Sequence, residues 1–317
     1  MKRYPTIDLA RVRTISIRKR RSKVRIDEFA KPFGPHGGSF RAFTNTLPHI
    51  LVANDLRSFV GDVVSARRRD REVIALIGAH VIKVGLAPLI IDLVRRKVLT
   101  CIAMNSAAAI HDVETAMWGR TSEDVEENLL DGTFGMARET GEFVNGVLRR
   151  AMDDGDAGYG EALGTALRRA PHRALSVLAA CKRLGVPVTV HAAIGTDIVH
   201  QQPSMDGAAT GELSFRDFRL LCGVVARLNR GVVMNIGSAV ILPEIFLKAL
   251  TVARNLGYPS RNFSTANFDM QQHYRPRMNI VQRPTAGGGG KGYLFTGHHE
   301  IMIPLVAAMI NDRLRGR

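Results

Sequence analysis

Val73 to Ile77 is an unbroken apolar run bounded by charged residues on its N-terminal side, and it predicts a buried strand. Gly78 and Ala79 follow where the chain must turn. Ile82 to Arg96 then carries apolar residues at helical spacing, and Val98 to Met104 predicts a second buried strand. Asn105 to Ala109 reads as a second loop of small residues. Strand, helix and strand at this spacing form a β-α-β unit with permissive loops at its strand ends. Ligands of open α/β sheets bind at that edge.

The same reading extends along the chain. Ser39 to Arg69 is helical, with Phe40, Phe43, Leu47, Ile50 and Leu51 on one pattern and Leu56 to Val64 after it. Residues 121–150 are amphipathic and helical, with Ser122 as a candidate N-cap. Asp153, Asp154 and Asp156 fall in a Gly/Asp-rich connection that lacks the last acid of a calcium loop, so they read as a solvated loop. A second series follows. It predicts helix over Glu161–Leu184, strand over Val186–Val190, a polar loop over His191–Gly207 and helix over Leu213–Asn229. Strand Val232–Ile236, helix Pro243–Leu256 and strand Asn262–Asn267 come next. Residues 269–292 read as loop, Tyr293–Thr296 as strand and Ile301–Leu314 as the closing helix. This alternation predicts the α/β class: a doubly wound, mostly parallel sheet covered on both faces. Residues 1–38 form a basic arm ending in the turn-rich stretch PFGPHGG, and 39–317 form one α/β domain.

Composition narrows the function classes. At 317 residues and 45% hydrophobic content the chain is long and apolar enough for a sizeable core. No apolar stretch approaches the roughly 20 residues of a spanning helix, and the N-terminus lacks the apolar region of a secretory signal. Cys101, Cys181 and Cys222 lie far apart in apolar contexts, which fits reduced thiols in a cytoplasmic protein. No metal-ligand spacing is present, and His298, His299 and Glu300 do not form one. The net charge of +15 is concentrated in part at Arg11, Arg13, Arg18, Lys19, Arg20, Arg21, Lys23 and Arg25. That run alternates enough for an edge strand or hairpin. It lacks aromatic residues for base stacking, so specific nucleic-acid binding is not expected, whereas non-specific retention of polyanions at low salt is. A solvated arm that packs on a neighbouring subunit is the other reading.

Four loops fall at predicted strand ends: Gly78–Lys83, Asn105–Asp112, His191–His200 and Gly237–Glu244. Their convergence makes a pocket in this architecture. No complete GxGxxG or Walker lysine motif occurs. His111 and Asp112 could act as an acid/base pair, or Asp112 could cap a helix while His111 packs locally. Asp197 and His200, three apart, share one side of a helical turn. Glu244 stands beside Gly237 and Ser238, in the first turn of a helix where acids are expected anyway. Gly287–Gly290 with Lys291 reads as a mobile loop or an anion cradle. Arg275 and Arg277 are candidate partners for a carboxylate or phosphate, or simply part of the basic surface.

Five blocks, in order, resemble the deoxyhypusine synthase family. They are IGAHVIKVGLAPLIIDLVRRKVLTCIAMNSAAAIHD, SVLAACKRLGVPVTVHAAIGTDIVH, GVVMNIGSAVILPEI, STANFD and HEIMIPLVAAMI, and they span roughly residues 70–315. The resemblance implies a Rossmann-like NAD-binding fold in a dimer or tetramer with active sites at the dimer interface. It implies NAD-dependent oxidation of spermidine and transfer of an aminobutyl group to a lysine of a translation-factor precursor. Carried over by position, NAD contacts fall near Ala79, His80, Asn105, Asp197, Gly237 and Asp269, with Ser106, His111, Asp112, Ser238 and His298 completing the cofactor set. The departures point to a different reaction. The family's reactive lysine segment is MNIVQRP here, without lysine. Its triple glycine is Gly237, Ser238 and Ala239, its Lys-His-His is Leu242, Pro243 and Glu244, and an acidic position is His298. Asp197, His200 and Glu244 are the candidates for acid/base roles, Lys83 or Lys291 for a relocated amine. The added histidines and arginines imply an anionic small-molecule substrate. A non-catalytic ligand-binding protein on the same fold, and a genuine deoxyhypusine synthase with a relocated lysine, are the alternatives.

Overall fold

A computed structural model of the chain describes residues 4–34, 38–153 and 155–315. Part of the PFGPHGG stretch and Asp154 of the Gly/Asp-rich connection therefore lie outside the described residues. The chain divides into two compact units, Met1–Asn54 and Asp55–Arg317.

The first unit is largely irregular. The described arm residues form no strand. They make short turns at Leu9–Arg11 and Ile26–Glu28, and Lys19 N donates to Ser16 O at 2.9 Å. The expected edge strand is absent because the run of cations leaves no partner strand and few apolar residues to bury. Helix α1 (Phe40–Thr46) starts at Ser39, whose hydroxyl accepts from Ala42 N at 3.1 Å. Helix α2 (Leu51–Arg68) follows.

The second unit alternates strands and helices. In order they are β1 (Val73–Ile77), α3 (Ala79–Lys83), α4 (Ala87–Arg95), β2 (Cys101–Asn105), α5 (Ser106–Trp118), α6 (Val125–Asp131), α7 (Arg138–Asp153), α8 (Tyr159–Ala166), α9 (Val177–Leu184) and β3 (Val188–His191). Then come α10 (Gly207–Ala226), β4 (Val232–Ile236), α11 (Ile241–Asn255), β5 (Ser264–Asp269), a π-helical turn at Pro276–Gln282, β6 (Gly292–Thr296) and α12 (His299–Arg315). All six strands run parallel in the order β3-β2-β1-β4-β5-β6. This is the doubly wound, Rossmann-like arrangement. Every residue of β1 and β4 is buried, as a parallel sheet covered on both faces requires. Phe59 of α2 packs on β5 and β6, with its ring 5.5 Å from Phe268 and 5.6 Å from Phe295. Full burial of such a ring contributes about 1.5–3 kcal/mol.

The pattern places β1 and β4 at their observed bounds, and it misplaces several helix ends. The helix expected over Ile82–Arg96 is two helices, because Gly85 adopts φ +80° and Pro88 opens a new first turn. The expected loop Asn105–Ala109 is the N-terminus of α5: the Asn105 side chain accepts from Ala108 N at 3.0 Å. Asp124, not Ser122, caps α6, accepting from Glu127 N at 3.1 Å, while Ser122 sits at φ +68°. The single helix Glu161–Leu184 is broken around Pro171 into α8 and α9. Helix α10 begins earlier than expected, at the Asp206 cap. The loop 269–292 contains the π-helical turn. Cys101 and Cys181 are buried free thiols and Cys222 is half-buried. Among the described residues no helix is long and apolar enough to cross a membrane.

Candidate functional site

Strands β1 and β4 are neighbours, and the chain leaves them toward opposite sides of the sheet. Their C-terminal ends therefore define the topological switch point, where a crevice opens. Gly78 ends β1 and Gly237 ends β4. Gly78 N donates to Ile236 O at 2.9 Å, and Gly237 N donates to Phe268 O at 3.1 Å. A Cβ on Gly78 would stand 2.2 Å from Gly237 O, and Gly237 itself holds φ +67°. Glycine is required at both places, by close approach at the first and by the left-handed conformation at the second.

Side-chain amides hold this turn from below. Asn235 Nδ2 donates to Ser238 O at 2.9 Å and to Asn267 Oδ1 at 2.7 Å. Asn267 Nδ2 donates to Gln272 Oε1 at 2.7 Å, and Gln272 Nε2 reaches Phe295 O at 3.0 Å. The chain of amides crosses β4, β5 and β6 just beneath the site. Sequence reasoning misses it, although asparagines inside apolar strands are the visible signal. The buried Ser238 hydroxyl accepts from Leu242 N at 3.2 Å, at the start of α11.

Two histidines face this crevice. The His80 ring centroid lies 5.5 Å from that of His299. His299 is buried, and its Nε2–H donates to Phe268 O at 3.0 Å, leaving Nδ1 as a buried lone pair without a partner. Burial, then the neighbouring His299, pushes the His80 pKa below its ordinary value. The sequence singles out His298, but His298 is exposed, with Nδ1 3.7 Å from Glu300. His299 takes the inward position because successive residues at a helix start point in different directions. Asp269 is buried at the end of β5, where its carboxylate accepts from Gln271 N at 3.4 Å. Ala79 follows Gly78 as the first residue of α3.

Beside the crevice, over the ends of β2 and β3, lies a cavity of about 650 Å³. Its walls include Lys83, His111, Glu114, Trp118, Arg120 and Asp197. Residues Ala107, Ile110, His111, Glu114 and Trp118 line it from one face of α5. The Ser106 hydroxyl makes a very short hydrogen bond to Asp197 Oδ2. His200 Nδ1 accepts from Asp197 N at 3.1 Å and from Gly195 N at 3.2 Å. That ring is therefore neutral with its proton on Nε2, and it lies 3.9 Å from Asp197 Oδ2. Burial pushes the Asp197 pKa up and the His200 pKa down. Thr121 Oγ1 donates to Glu114 Oε2 at 2.5 Å and stands 2.6 Å from His111 Nδ1. The hydroxyl proton is committed to Glu114, so His111 Nδ1–H must be the donor to Thr121, which leaves Nε2 as a base. Burial lowers the His111 pKa and so favours the neutral ring. Sequence reasoning misses Glu114 and Trp118, whose spacing is that of any amphipathic helix, and Thr121, which follows the end of α5.

The structure brings Asn105, Ser106, His111, Asp197 and His200 together at this end of the sheet, with Ala79, His80, Gly237, Ser238 and Asp269 around the switch point. Other candidates fall elsewhere. Asp112 turns away from His111 and is fully buried. It accepts from Ser176 Oγ at 2.6 Å, Val177 N at 2.7 Å and Leu178 N at 3.2 Å, so it caps α9 and not its own helix. Burial raises its pKa to about 6. Glu244 accepts from Asn279 Nδ2 at 2.7 Å, lies 3.3 Å from Arg275 Nε and makes a very short bond with Lys248 Nζ. It ties the π-helical turn to α11, and Lys248 in particular holds its pKa down. Lys291 precedes β6 at the opposite edge of the sheet and pairs with Asp55 at 2.8 Å. Among the described residues no group of three or more His, Cys, Asp or Glu side chains is placed to hold a metal ion.

No family model matches the chain, and no curated protein matches it in sequence. Solved structures do match in fold. AgrE in its ternary complex with ornithine and NAD+ superimposes with a TM-score of 0.53 at 12% identity, covering 82% of this chain and 33% of that one. ArgZ, an arginine dihydrolase from the ornithine-ammonia cycle in Cyanobacteria, gives 0.52 at 14% identity, covering 83% and 32%. A candidate deoxyhypusine synthase from Entamoeba histolytica gives 0.50 at 11% identity, covering 88% of this chain and 95% of that one. The chain thus spans about a third of the length of ArgZ and AgrE. At these identities the likeness establishes the fold, and AgrE shows that a protein of this fold binds NAD+.

Proposed function

We propose that the chain binds an NAD-type dinucleotide across the β1/β4 switch point and uses it in an enzymatic reaction other than hypusine formation. The observation that carries this reading is the Gly78–Gly237 contact, which bares backbone at the point where a pyrophosphate lies in folds of this strand order. The residues present fit such a group. His299 Nδ1 is a buried acceptor with no partner, Ser238 is held at the start of α11, and the adjacent cavity has room for a nucleoside. When bound, an NAD-type group supplies a hydride acceptor. Around it, Asp197 with Ser106 and the His111–Thr121–Glu114 chain hold protons at defined atoms, and His111 Nε2 is poised to accept one. Lys83 and Arg120 on the cavity wall are the cations that an anionic group of the substrate would meet.

The chain belongs, on this proposal, to the wider deoxyhypusine synthase-like group and works as a dimer or tetramer. The segment corresponding to the family's reactive lysine forms the lysine-free π-helical turn, and Lys291 stands at the far edge, so neither supplies an amine for an imine. Trp118 is the single tryptophan and lines the cavity, which makes it a built-in reporter. Titration with NADH is expected to quench Trp118 emission saturably, with competition by NAD+. Emission unchanged up to millimolar NADH would remove the proposal.

A further inference from the structure

Parallel strands place all their N-terminal ends along one edge, and in this sheet that edge lies opposite the candidate site. It is crowded with cations. Arg71 precedes β1, Lys97 precedes β2, Arg183 precedes β3, Arg230 precedes β4 and Arg261 precedes β5, and Arg219 of α10 joins them. All of these are exposed, and none has an acidic partner among the described residues. Three of the nearby carboxylates are already engaged, while Asp70, exposed beside Arg71, adds one more negative charge. Asp92 bonds Arg95 at 2.5 Å and Arg96 at 2.7 Å, Glu72 pairs with Arg227 at 3.1 Å, and Asp55 pairs with Lys291 at 2.8 Å.

Helix C-termini also converge here, and cations in a last turn offset their carbonyl dipoles. That accounts for Arg95, Lys182, Arg183 and Arg254. It does not account for Arg71, Arg219, Arg230 or Arg261, which stand outside any last turn. A concavity of about 560 Å³ opens on this edge between β1, β2, β3 and α10, and its charged lining is Arg71, Arg219 and Arg227 against Asp70 and Glu72, the last paired with Arg227. No aromatic ring lines it. Guanidinium groups bind phosphate oxygens in pairs, and the absence of rings removes base stacking.

We propose that this edge of the sheet is a polyanion-binding face that grips the phosphate backbone of a nucleic-acid duplex without reading its sequence. None of its residues belongs to the dinucleotide site or to the basic arm, so both can be controlled for. The test is fluorescence anisotropy of the full chain with a labelled RNA duplex of about 20 base pairs, over a series of salt concentrations. The wild type is expected to bind, with log K falling linearly in log salt. The variant Arg71→Ser/Arg219→Ser/Arg261→Ser is expected to lose about tenfold or more at low salt, and its slope is expected to be shallower by about 2–3, near 0.9 per phosphate contact removed. The arm variant Arg18→Ser/Arg20→Ser/Arg21→Ser is expected to lose less than the face variant. Unchanged quenching of Trp118 by NADH, or an unchanged thermal transition, shows that the face variant remains folded. A face variant that binds like the wild type overturns the proposal. So does a wild type that ignores the duplex while binding phosphatidylserine vesicles, which would assign the charges to a bilayer.

Discussion

Gly78→Ala is expected to cost roughly 3 kcal/mol or more of stability and to abolish dinucleotide binding, although it adds a single methyl group. The residue has φ −82° and ψ 170°, which alanine adopts freely, so backbone strain is not the cause. The cause is contact. The new carbon would meet the carbonyl oxygen of Gly237 at 2.2 Å and its carbonyl carbon at 2.7 Å. Both are backbone atoms pinned by the β1–β4 ladder and by the amide chain from Asn235, so neither can step aside. Relief requires β1 and β4 to part at the switch point itself. Gly207→Ala is the control. It lies at the start of α10 with nothing within 4 Å of an added Cβ, and it is expected to change stability by less than about 0.5 kcal/mol. Equal denaturant midpoints for the two variants would show that the glycine contact does not constrain the sheet.

Asp112→Ala is expected to destabilise by about 4 kcal/mol, because three buried donors lose their acceptor together. The loss is one of folding, since this side chain reaches α9 and not the cavity. Asp112→Asn keeps the volume and one acceptor, and removes a charge that burial disfavours, so it is expected to cost about 1–2 kcal/mol. The pH dependence has a definite sign. The folded carboxyl, at about 6, holds its proton more tightly than an unfolded aspartate. The stability that this group contributes is therefore present at low pH and declines as pH rises from about 4 through 6. The difference between wild type and Asp112→Asn, followed by denaturant unfolding across that window, isolates the slope. A difference that does not vary with pH would show that Asp112 keeps an ordinary pKa.

Gly78 and Asp112 differ in how far the amino-acid sequence alone reveals them. Gly78 is legible because a strand entirely of apolar residues must end in a turn, and the strand order then gives that turn its meaning. Strand order is a long-range property. The elements predict a parallel sheet, but only pairing of β1 with β4 makes Gly78 and Gly237 neighbours. Asp112 is ambiguous for the opposite reason. It follows His111 directly, and one residue along a helix turns a side chain by about 100°, so adjacent chemistry separates in space. The same step exchanges His298 for His299. Glu244 stands at the right sequence distance from Gly237, yet its partners Lys248, Arg275 and Asn279 come from its own helix and from a π-helical turn that no simple periodicity announces. Asp197, Ser106 and His111 converge only because β2 and β3 pair in register, Asn105 opposite His191. Charge behaves similarly. The basic arm is obvious as a run, whereas the cations along the N-terminal edge are scattered from Arg71 to Arg261 and become one surface only through the parallel topology.

The proposed dinucleotide lies across the ends of β1 and β4. Hydrogen exchange of the full chain with and without saturating NAD+, read peptide by peptide, tests that placement most directly. Slowed exchange is expected at Gly78–Val81 and at Gly237–Ile241, with the cavity wall around Asn105–His111 following. Protection confined to other segments, or none at saturating NAD+, would contradict it.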